Sequence, residues 1–248
     1  MPRRSIVQVR FPKDDRRLTY YNESFDLHCG DIVFAEGAYE GVHSRVMEVN
    51  YNFKIKLSDY KKVISVADTD VQGRFYMAGS HFLTFNRSAL PVSKVKSWYL
   101  PVQEAEKEEI VSGSDGKGFS LYNLKDFRVS ETIADRGHDY YLQNRVVYFC
   151  IDGTSSFAIV EGSKPYTVEF QLEEGEIRDI VCSCFCSGAC KHEFSALLQL
   201  RETLECIEEN YSAEYKSSGY FAAVSKSAMF HFAIDGMDKG SILLQKGI

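Results

Sequence analysis

The chain of 248 residues contains no apolar run near the roughly 20 residues that a membrane-spanning helix needs. Its Met-Pro-Arg-Arg start has no apolar core of the kind a secretory signal carries, so a cytoplasmic location is expected. The G-x-x-x-x-G-K-[ST] loop that cradles nucleotide phosphates is missing, because Asp115-Gly116-Lys117-Gly118 is too short and follows no strand pattern. There is no G-x-S-x-G elbow and no paired-carboxylate motif. The adjacent His28 and Cys29 would point apart in an extended chain. These absences argue against the common nucleotide-driven and hydrolytic chemistries, and the chain is expected not to be an enzyme. A disulfide framework is equally out of place: the seven cysteines are odd in number, which fits metal ligation in a reducing compartment.

What is present is a dense cluster of metal-binding side chains. Val181-Cys-Ser-Cys-Phe-Cys-Ser-Gly-Ala-Cys-Lys-His192 packs four of the seven cysteines and one of the six histidines into twelve residues. Cys182 and Cys184 form a C-x-C pair, five residues follow, and Cys190 and His192 form a C-x-H pair. Tetrahedral zinc accepts such a set without strain, one pair gripping each edge of the ion, so Zn2+ is the expected cofactor. Ser187-Gly188-Ala189 supplies a small-residue bend between the pairs. Four protein ligands leave no position for water, which makes the expected zinc structural and not catalytic. Cys186 offers an alternative pair with Cys184, leaving three residues before Cys190, and both registers are chemically sound.

The pattern resembles the SWIM-type zinc finger, in which C-x-C, a variable loop and C-x-H open a helix. The likeness extends upstream through Arg136-Gly137-His138-Asp139-Tyr140-Tyr141, Arg145-Val146-Val147 and Val160-Glu161-Gly162-Ser163-x-x-Tyr166-x-Val168. Downstream it takes in Cys190-Lys191-His192-Glu193-Phe194-Ser195-Ala196-Leu197-Leu198, covering roughly residues 119 to 208. In the family the first pair directly follows an apolar strand end. Ile180-Val181 stand just before Cys182, so the resemblance favours Cys182 and Cys184 over Cys186. It implies an α+β unit that binds nucleic acid or protein, since such fingers accompany Snf-type DNA-dependent ATPases and other DNA-acting proteins.

Charge is unevenly spread. The first hundred residues carry 15 Lys and Arg against 11 Asp and Glu, leaving 14 against 24 for the rest of the totals of 29 and 35. Phosphate binding rests on cations, so nucleic acid contact is expected at the front, where Arg3, Arg4, Arg10, Lys13, Arg16 and Arg17 face only Asp14 and Asp15. The acidic remainder is expected to meet protein.

Residues 5 to 66 read as short strands: Ile6 to Phe11, Leu18 to Tyr21, Gly30 to Ala35, Ser44 to Asn50 and Phe53 to Leu57. Their spacing suggests a small β-barrel, and the order is similar to the small barrels of PSP1-like proteins and of primosomal helicases. The clusters Phe75-Tyr76-Met77, Phe82 to Phe85 and Trp98-Tyr99-Leu100 are expected to complete or cover that first core. Residues 101–118, acidic and then glycine-rich, read as a linker. Beyond it a helix is expected to end at Gly137, followed by strands Val146 to Ile151, Ser156 to Glu161, Tyr166 to Leu172 and Ile177 to Val181. A helix then carries an apolar stripe of Phe194, Leu197, Leu198, Leu204 and Ile207, with Arg201 in phase. A second helix is expected from Tyr220 to Ile234 and a strand from Ser241 to Leu244. The expected layout is α+β: a barrel-like domain at 1–100, the linker at 101–118, the zinc unit at 119–208 and a helical extension at 209–248. Function is expected to be that of a zinc-binding adaptor with a protein partner, a Snf-type ATPase among the candidates, and with DNA or RNA. The alternative is an incomplete subunit of a nucleic-acid enzyme such as a helicase or nuclease complex.

Overall fold

The computed structural model describes residues 3–101 and 117–235, and the backbone of 241–245. They are mixed α and β, with two antiparallel sheets, and divide into two compact units. The first holds residues 3–72, 90–101, 229–235 and 241; the second holds 73–89, 117–228 and 242–245. Most of the expected linker, residues 102–116, lies outside the described residues.

In the first unit, β1 (Ser5–Arg10), β2 (Arg17–Asn22), β3 (Ile32–Ala35), β4 (Ser44–Asn50) and β5 (Val63–Val66) form a sheet in the order β2-β1-β4-β3-β5. Alternation in β1 turns Val7 and Val9 inward, where they meet Phe11, Tyr20, Val33, Val46 and Val63. The Tyr21 N–H donates to the Lys61 carbonyl at 2.9 Å, so the outer strand β2 meets the approach to β5 and the sheet curls toward closure. The alternation from Phe53 to Leu57 is not a strand. None of residues 51–60 is buried, so it has no core face to serve, and the last strand comes later, at β5.

A second cluster in this unit joins segments far apart in sequence. α1 (Val92–Tyr99) buries Trp98, whose ring stacks on Phe232 at 5.1 Å and whose indole N–H donates to the Asp68 carbonyl at 2.7 Å. His43 packs on Phe232 at 4.8 Å and lies 5.1 Å from the His231 ring. Arg45 of β4 is buried beside them and donates to the carbonyls of Gly30, His231 and Asp235. It therefore caps the turn that ends at Asp235, satisfying carbonyls that the chain there leaves unpaired.

The second unit contains β6 (Gln72–Ala78), β7 (Phe82–Phe85), β8 (Phe119–Ser120), α2 (Glu131–Leu142), β9 (Val146–Asp152), β10 (Ser155–Glu161), β11 (Pro165–Glu173) and β12 (Glu176–Cys182). It continues through α3 (Lys191–Cys206), a π-helical turn at Ile207–Tyr211, α4 (Ser212–Ser218), β13 (Tyr220–Ser225), the short α5 (Lys226–Met229) and β14 (Ser241–Gln245). The sheet order is β14-β6-β7-β13-β9-β10-β11-β12-β8. Phe75, Phe82 and Phe85 thus belong to this second sheet and not to the barrel core, whereas Trp98 and Tyr99 are buried in the first unit. The four central hairpin strands fall where alternation and turn residues place them. Glu174 (φ 49) and Gly175 (φ 82) make the tight β11–β12 turn, in the left-handed region that such two-residue loops require.

Three expectations are corrected here. The helix expected from Tyr220 to Ile234 is instead β13, paired between β9 and β7, followed by the short α5 and a π-helical turn. Phe221 to Ser225 are all buried, and a strand covered on both faces shows no period that separates it from a buried helix. Second, Gly137 does not end a helix; it is buried in the middle of α2, where α2 crosses α3. A Cβ there would stand 2.7 Å from Phe194 Cβ and 3.0 Å from the Lys191 carbonyl oxygen. The stripe of α3 is also turned from its expected phase: Ala196, Leu197, Leu200 and Thr203 are buried, while Arg201 is exposed.

Two predictions follow from this packing. A glycine-to-alanine change inside a helix ordinarily stabilises by about 1 kcal/mol, but Gly137→Ala is expected to destabilise by about 1–3 kcal/mol through overpacking against Phe194; chemical denaturation gives the sign directly. The second concerns acid. Burial, with the charges of His231 and Arg45 adding to it, pushes the His43 pKa from 6.5 down to about 3, and burial lowers His231 too. The unfolded chain therefore binds the proton more readily than the fold. The stability that neutral His43 confers is intact above pH 6.5 and is lost as pH falls toward 3, with a slope of up to about 1.4 kcal/mol per pH unit. His43→Leu should flatten the acid limb of a stability-against-pH curve; an unchanged limb would place the titration elsewhere.

Candidate metal centre

β12 runs out at Cys182, which pairs with Val168 of β11. The next residue is gripped twice: the Ser183 N–H donates to the Thr167 carbonyl at 2.9 Å, and its hydroxyl accepts from the Thr167 N–H at 2.9 Å. This fixes the strand end from which Cys182 and Cys184 project. The other pair is set by the helix. Cys190 is the N-cap of α3: its sulfur accepts from the Glu193 N–H at 3.5 Å, and Glu193 Oε2 accepts from the Cys190 N–H at 2.8 Å. A capping box normally uses a serine or threonine oxygen. A thiolate in that place gains from the donors and partial positive charge of the helix N-terminus.

The ligand atoms of Cys182, Cys184, Cys190 and His192 all lie within 4.8 Å of one another, and His192 Nδ1 is 3.8 Å from the sulfurs of both Cys182 and Cys190. An ion bonded at about 2.3 Å to sulfur and about 2.0 Å to nitrogen has tetrahedral edges of about 3.5–3.8 Å, which the two Nδ1–sulfur separations approach. The four side chains therefore form a group that could hold a metal ion. Cys186 is exposed and stands outside the group.

The electrostatics point the same way. The Cys182 thiol donates toward Cys190 and so holds the Cys190 pKa down at about 4 against the cost of burial. That shared proton, together with burial, raises Cys182, and burial pushes Cys184 up to about 11. One negative charge is welcome in this cluster and a second or third is not. A bound dication reverses that balance, since it deprotonates the thiols that ligate it.

The imidazole is held by rings. Tyr166 of β11 stacks on His192 at 4.3 Å and 24°, and Tyr140 of α2 meets it edge-on at 5.5 Å. Gly162 closes the remaining side: a Cβ on it would lie 2.9 Å from the Tyr166 ring and 3.3 Å from His192 Nε2. That Nε2 is buried and has no hydrogen-bond partner among the described residues. With Nδ1 turned to the sulfurs, the ring is oriented by aromatic contact where many metal-bound histidines use a hydrogen bond. The contacts of Gly137, Tyr140, Gly162 and Tyr166 follow from no spacing rule.

The cations of the basic front stand at both ends of β1. Arg3 and Arg4 precede β1 and Arg10 ends it, a separation of about 20 Å along an extended strand. Arg3 lies over the Tyr51 ring at 4.2 Å. At the other end Arg10 faces Asp15 at 3.6 Å and Arg16 faces Asp14 at 3.4 Å. Arg4, Lys13 and Arg17 are exposed. Among the described residues no helix is long and apolar enough to cross a membrane. Comparison of the chain with protein-family models, with curated proteins and with solved structures gives no match.

Cobalt(II) titration tests the ligand set. Replacing Cys182, Cys184 or Cys190 by serine, or His192 by alanine, is expected to weaken binding at least about a hundredfold and remove part of the sulfur-to-metal absorption, while Cys186→Ser leaves both unchanged. Affinity should also rise with pH between about 6 and 8, because thiol protons must leave as the ion enters.

Proposed function

We propose that this chain is a zinc-stapled binding module of the SWIM type, which acts by holding a partner and not by turning over a substrate. The observation that carries this reading is the convergence of three sulfurs and one imidazole nitrogen within 4.8 Å. Three thiolates and an imidazole suit zinc, whose tetrahedral shell they complete with no place left for water or substrate. Zinc, when bound, supplies charge neutralisation. The rest is done by the chain itself: Cys182 and Cys184 hold the end of the β11–β12 hairpin, and Cys190 and His192 hold the first turn of α3. The clasp thereby presents the loop between them, whose Phe185 is 91% exposed.

An exposed ring on a loop that is tied at both ends suits contact with another molecule, because little freedom remains to be lost on binding. The partner is a protein, in the family pattern a Snf-type ATPase, or a nucleic acid. The split front and its ion pairs weigh against that end of the chain as the main phosphate-binding surface.

Removing metal from the purified protein with a thiol-compatible chelator should lower the unfolding midpoint on the order of 10 °C, the size expected for losing a tight ligand of the folded state. Full reversal by added zinc and no phosphodiester or ATP turnover with magnesium complete the expected result. A midpoint indifferent to verified metal loss, or turnover that copurifies with the folded protein, would contradict the reading.

A further inference from the structure

The antiparallel register of the second sheet gathers cations at one end. The start of β7 (after His81), the end of β13, the start of β9, the end of β10 and the start of β11 lie side by side. Lys226 follows β13, Arg145 precedes β9 and Lys164 sits in the β10–β11 turn. Cys182 closes the row at the end of β12, with Phe185 and Lys191 just beyond. With strands about 4.8 Å apart, the row from β13 to β12 is about 20 Å long.

Among the described residues, none of Arg145, Lys164, Lys191 and Lys226 is in an ion pair. Arg145 donates to the Gln143 side chain, and Lys226 to the Ser80 carbonyl. Lys164 lies over the Phe185 ring at 5.1 Å and Lys191 over Tyr140 at 4.4 Å. At the opposite end of the same strands the charges are Asp152, Glu173, Glu174 and Glu176, and the arginines there are already taken: Arg87 by Asp152 and Arg178 by Glu176, each at 2.6 Å. The net negative charge of the chain therefore conceals a sheet end whose cations are available. Beside Arg145 and Lys226 is a recess of about 450 Å3, also lined by His81, Asn144, Ser227 and Glu161. Glu161 is its one carboxylate; burial raises its pKa, and the charge of Arg145 acts on it in the opposite sense without an ion-pair contact.

We infer that a short run of single-stranded nucleic acid lies along this sheet end, its phosphates met by Lys226, Arg145, Lys164 and Lys191 and one of its bases stacked on Phe185. The inference rests on the binding-module reading and names its partner. A row of unpaired cations ending on an exposed ring is the arrangement by which single strands are held without sequence preference, the cations following the backbone and the ring taking any base. Duplex hides the faces of its bases, so it would leave Phe185 without its contact.

The test uses the full metal-loaded chain and a fluorescent oligo-deoxythymidine of about 12 nucleotides, with oligo-uridine and a duplex of equal length in parallel. Expected are binding at about 50 mM salt, a log–log salt slope of about −2 to −3, and weaker binding of duplex. Phe185→Ala should weaken binding about five- to a hundredfold, and the double change Arg145→Ala with Lys164→Ala should reduce the slope by about 1.4. Metal content and unfolding midpoint, read on the same samples, should stay at wild-type values, which separates loss of this surface from failure of the metal clasp. The inference is overturned if the metal-loaded protein binds neither single strand, if duplex binds tighter, or if both variants bind as wild type while Arg10→Ala with Arg17→Ala abolishes binding.

Discussion

Three sulfurs and an imidazole nitrogen within 4.8 Å of one another are the constraint on which the second unit turns. Without a cation, hydrogen bonding from Cys182 lowers the Cys190 pKa, while that shared proton and burial raise Cys182, and burial raises Cys184. A cation at the centre would make the whole set favourable and would tie a hairpin end to a helix start. Both halves of the clasp are prepared independently of it. The Ser183–Thr167 hydrogen bonds hold the strand end, and the Cys190–Glu193 box holds the helix start. An ion bound there would have only to join two pieces already in position, which would limit the ordering entropy that binding must overcome.

Around the clasp, close approach decides which residues are permitted. Gly137 lets α2 lie against Phe194, and Gly162 lets the β10–β11 turn reach the His192 ring beneath Tyr166. These contacts give the ligand helix a fixed phase. The buried stripe of α3 follows from that phase as much as from its own pattern of apolar residues, which explains why it runs through Ala196, Leu200 and Thr203 and leaves Arg201 in solvent.

How much of this was legible in the sequence differs by element. The crowding of Cys and His side chains and the four hairpin strands leading to them could be read from the sequence by local rules, spacing for the cluster and alternation with turn residues for the strands. The preference for Cys182 over Cys186 and the helix opening at Cys190 come from the resemblance. β13 could not be read, since a strand buried on both faces has no alternation to show. The exchange of residues between the units was hidden for a different reason. Residues 73–89 join the second sheet and 229–235 the first unit through pairings across more than a hundred positions, such as Val224 with Leu83, which no local signal carries. The pairing of His43 with His231 beside Arg45 is invisible on the same ground. Charge counted along the chain does not show which cations are paired in the fold. In the fold Asp14 and Asp15 answer Arg16 and Arg10, whereas Arg145, Lys164, Lys191 and Lys226, in no ion pair among the described residues, come from four separate turns and helix starts.

The central claim is that these four side chains share one ion. X-ray absorption at the zinc edge of the purified protein measures that shell directly. The account predicts one zinc per chain with three sulfur neighbours at about 2.3 Å and one nitrogen at about 2.0 Å. A shell dominated by oxygen or nitrogen, or a fully folded protein carrying no metal at all, would contradict it.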